Sequence, residues 1–343
     1  MEIFETELKG KGVRASKCFS VGNEIYSERC ILQRKFHETW VADEIISAVF
    51  DMKDDPGNLK RELLNLSPYQ DDEVLYLMNS FTFQNIEEDY GVLVSFGSRF
   101  SHSCSPNVTE VFDKELGILR YIAIENIALH EELSVHYLAI DELITDRSSR
   151  RERLEEVCGF KCLCDACLSD SIVVSDQNRL LMKSFLTFEF VSISNCLSTL
   201  TSSLHLAIDE NLFYILGATF YYHAFFTLQK LTYCLKQDAA ELKDSVLEAV
   251  LMKLAYKAYN LLAIIAGNES VLVKQLLQWT YEPFEFIIDD QFTEEPLVPK
   301  LCASVECTNF STSVLCLNCE KIGYCSKTCQ ISHLTIHTKE CFK

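Results

Sequence analysis

Hydrophobic positions change their period along this chain, and the changes mark out its parts. Over residues 1–35 apolar residues come in short runs broken by glycine. Gly10 and Gly12 bracket a predicted turn, Val13 to Phe19 follow, and Val21-Gly22-Asn23-Glu24 offers a second turn before Ile25-Tyr26. An opening of short strands is expected. Over residues 36–80 the spacing becomes helical, through Ile45, Ile46, Val49 and Phe50, then Leu59, Leu63, Leu64 and Leu66, then Val74, Leu75, Leu77 and Met78. This predicts a helical insert. Short β runs return at 92–94, 119–124 and 133–135, followed by a helix carrying Arg147, Arg150, Arg151 and Arg153. Residues 176–290 read as almost all helix, with no proline before Pro283 and apolar steps of three and four through Leu247, Val250, Leu251, Leu254 and Leu261. Helical hairpins of the tetratricopeptide kind are one candidate there, although no repeat of about 34 residues stands out. The expected fold class is α+β: a β-rich part with a helical insert, a helical part, and a small terminal module beyond the linker Glu294-Glu295-Pro296 to Pro299.

At 343 residues and 48% hydrophobic composition, the chain can build two or three cores. Its net charge of −19 argues against nucleic acid as a direct partner, because phosphate binding needs many Lys and Arg contacts, and favours a cationic partner. The acidic opening Met1-Glu2-Ile3-Phe4-Glu5 predicts no secretory leader. The charge-free run 212–228 spans 17 residues, yet it contains Gly217, Tyr221, Tyr222 and His223, so a buried helix is expected and no membrane association.

The 16 cysteines change the picture most. Eight metal-ligand types close the chain in four pairs: Cys302-x4-Cys307, Cys316-x2-Cys319, Cys325-x3-Cys329 and His337-x3-Cys341. So short a segment cannot bury enough apolar surface to fold unaided, so two zinc ions are its expected core. Spacing alone leaves open whether the pairs combine sequentially or crosswise. A second cluster, Cys162-x-Cys164-x2-Cys167, supplies three thiolates and needs a fourth ligand from elsewhere; Cys104, in the turn Ser103-Cys104-Ser105-Pro106, is the candidate. Thiols in metal spacing imply a reducing, intracellular setting, cytoplasm or nucleus. Cys18, Cys30, Cys196 and Cys234 read instead as small buried hydrophobes.

Other polar stretches carry candidate chemistry. Gly10-Lys11-Gly12 offers close approach to the backbone, His102-Ser103-Cys104-x-Pro106-Asn107 a polar loop, and Glu131-Glu132-Leu133-Ser134-Val135-His136-Tyr137 a strand ending in tyrosine. Glu131 and Glu132 point to opposite strand faces and cannot flank one bond. The arginines at 147–153 read as a solvated helix face, with a grip on an acidic partner as the alternative.

The run Tyr324-Cys325-Ser326-Lys327-x-Cys329-Gln330-x2-His333-x3-His337-x3-Cys341 resembles a MYND finger. That resemblance implies crossed pairing, with Cys302, Cys307, Cys325 and Cys329 on one zinc and Cys316, Cys319, His337 and Cys341 on the other. It also implies protein interaction, often with proline-rich peptides. The glycine segment, the His-Ser-Cys loop, the terminal tyrosine and the Cys-x-Cys-x2-Cys cluster, in this order, resemble a SET domain with its post-SET zinc segment. The resemblance covers roughly 1–35 and 75–168.

Together the parts resemble the SET-and-MYND (SMYD) lysine methyltransferases, with the finger here closing the chain rather than interrupting the SET domain. The division implied is a SET domain over 1–168, with its insert near 36–80 and its post-SET segment at 158–168, a helical domain over 176–290 and a finger over 302–341. The resemblance further implies about three zinc ions and S-adenosylmethionine held near Gly10, Lys11, Gly12, Asn79, Ser101, His102 and Phe160, with Tyr137 at both cofactor and reaction centre. Ser101 stands where the family has asparagine, and His130 where glycine is common. The implied activity is methylation of lysine in a basic protein segment, histone tails being one substrate class. A non-catalytic adaptor built on the same scaffold is the second reading.

Overall fold

The computed structural model describes residues 1–6, 10–35, 42–54, 60, 82–84, 89–238, 244–267 and 270–283, with 302, 304, 307, 314–316, 323–334 and 337. Two compact units divide the chain, Met1–Gln177 and Asn178–Lys343.

The first unit opens with β1 (Glu2–Thr6) and β2 (Gly10–Arg14), paired antiparallel so that Phe4 faces Gly12. The predicted turn at Gly10-Lys11-Gly12 is therefore a strand. Gly12 is needed for closeness of packing rather than for turning, since a Cβ there would stand 3.1 Å from the Phe4 ring and 3.2 Å from Ser101 Oγ. The second turn forms at Val21 and Gly22, where Gly22 takes φ 80°, and it leads into β3 (Glu24–Arg29). β4 (Leu32–Lys35) follows, then α1 (Ala42–Phe50), the described part of the expected helical insert. The chain continues with β5 (Thr82–Gln84), β6 (Asp89–Leu93), a 3-10 turn at Gly97–Arg99, β7 (Ser101–His102), β8 (Val108–Asp113), β9 (Ile118–Ala123) and β10 (Glu132–Val135). Among the described residues of this unit three small sheets result, in the orders β1-β2-β10-β7, β3-β9-β8 and β4-β6-β5.

Their inward faces share one core, with Val13, Phe100, Val108, Leu119, Tyr121, Leu133 and Val135 fully buried. Phe100 and Tyr121 stack face to face there, 4.4 Å between centroids. Glu28 closes one edge: its carboxylate accepts from the backbone N–H groups of Ser95, Phe96 and Gly97, at 3.1, 3.1 and 2.5 Å. Behind β10 come α2 (Ile140–Leu143), α3 (Arg147–Cys158) and α4 (Asp165–Leu168). Asp146 caps α3 by accepting from the Ser149 N–H, and Gly159 ends the helix in the left-handed region.

The dividing point at Gln177 falls within α5 (Ile172–Thr187). The second unit continues through α6 (Ile193–Asp209), α7 (Phe213–Asp238), α8 (Asp244–Ala266) and α9 (Val271–Tyr281). Buried Leu216, Phe220, Ala224 and Leu228 turn the apolar run in α7 into a core helix, as its polar residues implied. In α8 the stretch Leu247–Ala266 is also long and apolar enough to cross a membrane. It packs between α7 and α9 with Leu251, Leu254, Ala255, Ala258 and Leu261 buried, which is the pattern of a core helix. An ion pair at 3.0 Å between Arg179 and Glu210, both almost wholly shielded, joins α5 to the end of α6. The terminal segment forms β11 (Val314–Leu315), β12 (Gly323–Tyr324) and α10 (Lys327–Ser332), the last capped by Ser326.

Candidate functional site

Cysteine geometry organises the first unit's site. The Sγ atoms of Cys104, Cys162, Cys164 and Cys167 all lie within 4.8 Å of one another, and all four residues are buried. Cys104 and Cys167 are 3.7 Å apart. A tetrahedron with Zn–S near 2.3 Å has edges of about 3.8 Å, so the set fits one zinc ion. Cys104 thus completes a four-thiol set that could hold the ion, and its backbone N–H lies 3.4 Å from Cys164 Sγ, where it would help to spread thiolate charge. Without metal the four thiols share protons unevenly, hydrogen bonds from Cys104 first of all pushing Cys164 and Cys167 down. Cys18, by contrast, is exposed, contrary to its reading as a buried small hydrophobe, while Cys196 is buried.

Arginines complete the cluster, correcting the solvated-face expectation. Arg150 is fully buried; it donates to the Thr145 carbonyl and lies 3.7 Å from Asp176. Burial alone would lower its pKa, but the Cys104 and Cys167 thiolates more than offset this and leave it raised. Arg151 donates to the carbonyls of Cys162 and Cys167 at 3.0 and 3.2 Å, and Arg147 reaches the latter at 3.4 Å. These side chains orient the ligand loop and oppose its negative charge. Only Arg153 keeps the surface role, paired at 2.7 Å with Glu142.

Cys104 also ties the His-Ser-Cys loop to the end of β10. β7 runs parallel to β10, with Ser101 beside Ser134 and His102 beside Val135. Asn107 locks the loop: its amide donates to Glu131 Oε1 and the Glu132 carbonyl, and its Oδ1 accepts from the Ser134 N–H at 2.9 Å. His130, in the position where a glycine is common, takes φ 68°, so it adopts the left-handed conformation glycine adopts easily.

His102 Nδ1 accepts from the Tyr137 N–H at 2.9 Å, which places its proton on Nε2, 3.4 Å from Cys104 Sγ. Its ring meets Tyr137 at 5.3 Å and Phe160 at 6.2 Å, and the last two meet at 6.3 Å. An aromatic wall results. The Tyr137 ring is 38% exposed, but its hydroxyl turns inward to the Phe100 carbonyl at 2.5 Å. Burial first, then the Glu110 carboxylate, push that hydroxyl's pKa up, so it stays a neutral donor.

The predicted cofactor residues Gly12, Ser101, His102, Tyr137 and Phe160 come together around this wall. Ser101 Oγ is buried and has no hydrogen-bond partner among the described residues. A polar ligand beside Gly12 would satisfy it, so this part of the site fits S-adenosylmethionine. Gly10 and Lys11 immediately precede Gly12 on β2, and Asn79 falls outside the described residues.

In the second unit Cys302, Cys307, Cys325 and Cys329 gather within 4.8 Å, with Cys325 Sγ 3.4 Å from both Cys307 and Cys329. The four that gather are those of the crossed arrangement, not the first four ligands in sequence. Cys316 and His337 are buried as the second site requires; Cys319 and Cys341 lie outside the described residues. His333 has its Nδ1 3.2 Å from the Tyr324 hydroxyl and its ring stacked on His337. Buried Lys257, from α8, donates to the carbonyls of Ser304 and Cys307 at 2.8 and 2.9 Å, a contact that its helical surroundings concealed in the sequence.

Comparison with known proteins agrees with this geometry. Residues 10–138 match the SET domain family and residues 302–341 the MYND finger family. The histone-lysine N-methyltransferase set5 of Schizosaccharomyces pombe is 26% identical over 62% of this chain and 69% of its own length. A putative SET domain-containing protein of Acanthamoeba polyphaga mimivirus is 26% identical over 50% of this chain and 61% of its own. The protein-lysine N-trimethyltransferase SMYD5 of Mus musculus is 30% identical over 32% of this chain, but the match spans only 28% of that protein.

Proposed function

From the premise that this chain joins a SET domain to a C-terminal MYND finger, consistent with the SET-and-MYND family, we propose that it methylates lysine side chains of proteins using S-adenosylmethionine. The observation that carries the proposal is the Tyr137 hydroxyl, fixed on the Phe100 carbonyl beside an aromatic wall and a buried, unsatisfied Ser101 hydroxyl. Relatives named as histone-lysine and protein-lysine methyltransferases support the same activity.

Ser101, Gly12, His102 and Phe160 would hold the cofactor, which supplies an electrophilic methyl group on sulfur. The chain's own contribution is alignment in a water-poor place. The Phe100 carbonyl and Tyr137 oxygen line the point where a lysine nitrogen would sit, and both can accept hydrogen bonds from it. His102 holds the Tyr137 backbone in register through its Nδ1. The zinc cluster fixes Cys104, and with it the loop that carries Ser101 and His102.

The substrate side is cationic in this reading, in keeping with the net charge of −19, and histone tails are its first candidates. The finger is proposed to bind protein segments, proline-rich ones included. Titration calorimetry of zinc-loaded full-length protein with S-adenosylmethionine tests the reading. Saturable binding is expected; a flat titration at millimolar cofactor would favour the adaptor instead.

A further inference from the structure

β8 places a carboxylate where a strand normally carries an apolar side chain. Alternation along the strand puts Glu110 on the same face as Val108, which is fully buried, and Phe112, which packs on the same core. Glu110 lies directly opposite Tyr121 in the β8–β9 register, and Tyr121 stacks on Phe100, whose carbonyl receives the Tyr137 hydroxyl. Its Oε1 is cut off from solvent and has no hydrogen-bond partner among the described residues. Glu110 as a residue is only half-buried, yet one oxygen of its carboxylate is shut off without a partner, and the cost of that points to a role the fold alone does not satisfy.

The surrounding groups narrow that role. Tyr121 faces Glu110 from β9 and Tyr137 from beyond β10; Glu28 and Cys30 act on Tyr121 from the β3 side, and Arg99 lies near the Tyr137 hydroxyl. Glu28 is already saturated by three backbone N–H groups. Both phenols are pushed up by burial and then by Glu110, so neither supplies charge. Burial also raises the Glu110 carboxyl well above the ordinary range. Among the described residues no ion pair reaches it. The missing partner is a cation that arrives with the substrate.

We propose that Glu110 receives the ammonium of the target lysine and accepts its proton. The inference rests on the methyltransferase reading. In the step one N–H bond of the ammonium breaks and one O–H bond forms on Oε1. The electron pair stays on nitrogen, leaving a neutral amine beside the Tyr137 oxygen, and the proton on Glu110 passes to water that follows the path the ammonium took, once the methylated product has left. No oxidant or further reactant is required. The geometry also gives specificity: arginine, whose guanidinium cannot give up a proton, would bind without becoming nucleophilic.

The test is the pH dependence of kcat/KM for full-length protein, with radiolabelled S-adenosylmethionine and core-histone tail peptides. The wild type should show a rising limb set by Glu110, above the ordinary carboxylate range, followed by a plateau well below the lysine pKa of about 10.4. Glu110→Gln should bind the cofactor normally yet lose about a hundredfold in kcat/KM near neutrality. Its rate should climb with unit slope toward high pH, closing the gap, because only free neutral lysine then reacts. A Glu110→Gln profile parallel to that of the wild type overturns the proposal. Should that variant fail to fold, a wild-type profile that itself climbs to the lysine pKa without a plateau overturns it equally. Absence of any transfer by the wild type refutes the underlying methyltransferase reading, and the Glu110 role falls with it.

Discussion

Replacing Arg150 by methionine tests whether the post-SET cluster depends on charge from outside its ligands. The side chain is fully buried, donates to the Thr145 carbonyl, and faces Asp176 at 3.7 Å and the thiolates of Cys104 and Cys167. Methionine nearly matches its volume, so the loss is electrostatic rather than a cavity. Stripping one partner from a buried charged arrangement costs about 3–5 kcal/mol. Some of this is recovered because Asp176, 25% exposed, can turn to water. A loss near the lower figure is therefore expected, with zinc retention weakened about 10–100-fold, as for other groups that orient ligands. Denaturant unfolding gives the stability, and chelator competition with a zinc-sensitive dye gives the affinity. Wild-type stability with unchanged zinc affinity would refute the reasoning, for the guanidinium would then not be serving the cluster.

Tyr137→Phe removes the hydroxyl bonded to the Phe100 carbonyl and should slow methyl transfer about 100-fold while leaving cofactor binding intact, read by turnover against calorimetry. Lys257→Met leaves the Ser304 and Cys307 carbonyls without their donor, which should lower stability by about 1–3 kcal/mol and speed chelation of the finger's zinc. His136 is half-buried, with desolvation lowering its pKa and its ring 2.8 Å from the Leu138 carbonyl. Its unfolded form binds the proton more readily, so its stabilising contribution is present above about pH 6.5 and is lost as the pH falls through the lowered folded value. His136→Gln should therefore flatten the acid limb of stability, measured by denaturant midpoints at neutral and mildly acidic pH. Metal analysis of purified protein should find about three zinc ions per chain, and Cys104→Ser should remove one of them.

Much of the site was legible because metal ligands leave rigid spacing in a sequence. Cys104 could be named as the candidate for a distant fourth ligand since three thiolates cannot complete a tetrahedron, and the structure brings its sulfur to the other three. Strand positions at 119–124 and 133–135 were visible in their apolar runs and lie within one residue of β9 and β10. The glycine segment misled because glycine permits both turns and close packing. Only the Phe4 and Ser101 neighbours reveal which is used. Arg150 looked like one more surface charge, as Arg153 is, since its burial arises from a cysteine cluster that the helix pattern does not show. Glu110 carried no motif at all. A short strand with a glutamate reads as half-exposed, and only the structure shows that one of its oxygens is shut off opposite Tyr121.

The central claim is transfer of methyl groups to lysine. Full-length, zinc-loaded protein should be incubated with methyl-labelled S-adenosylmethionine and core histones, followed by acid hydrolysis and separation of the labelled amino acids. The account predicts label in methylated lysine, strongly reduced by Tyr137→Phe. A folded protein with a full zinc complement that leaves no label in lysine, in histones or in a broad protein mixture, would contradict it.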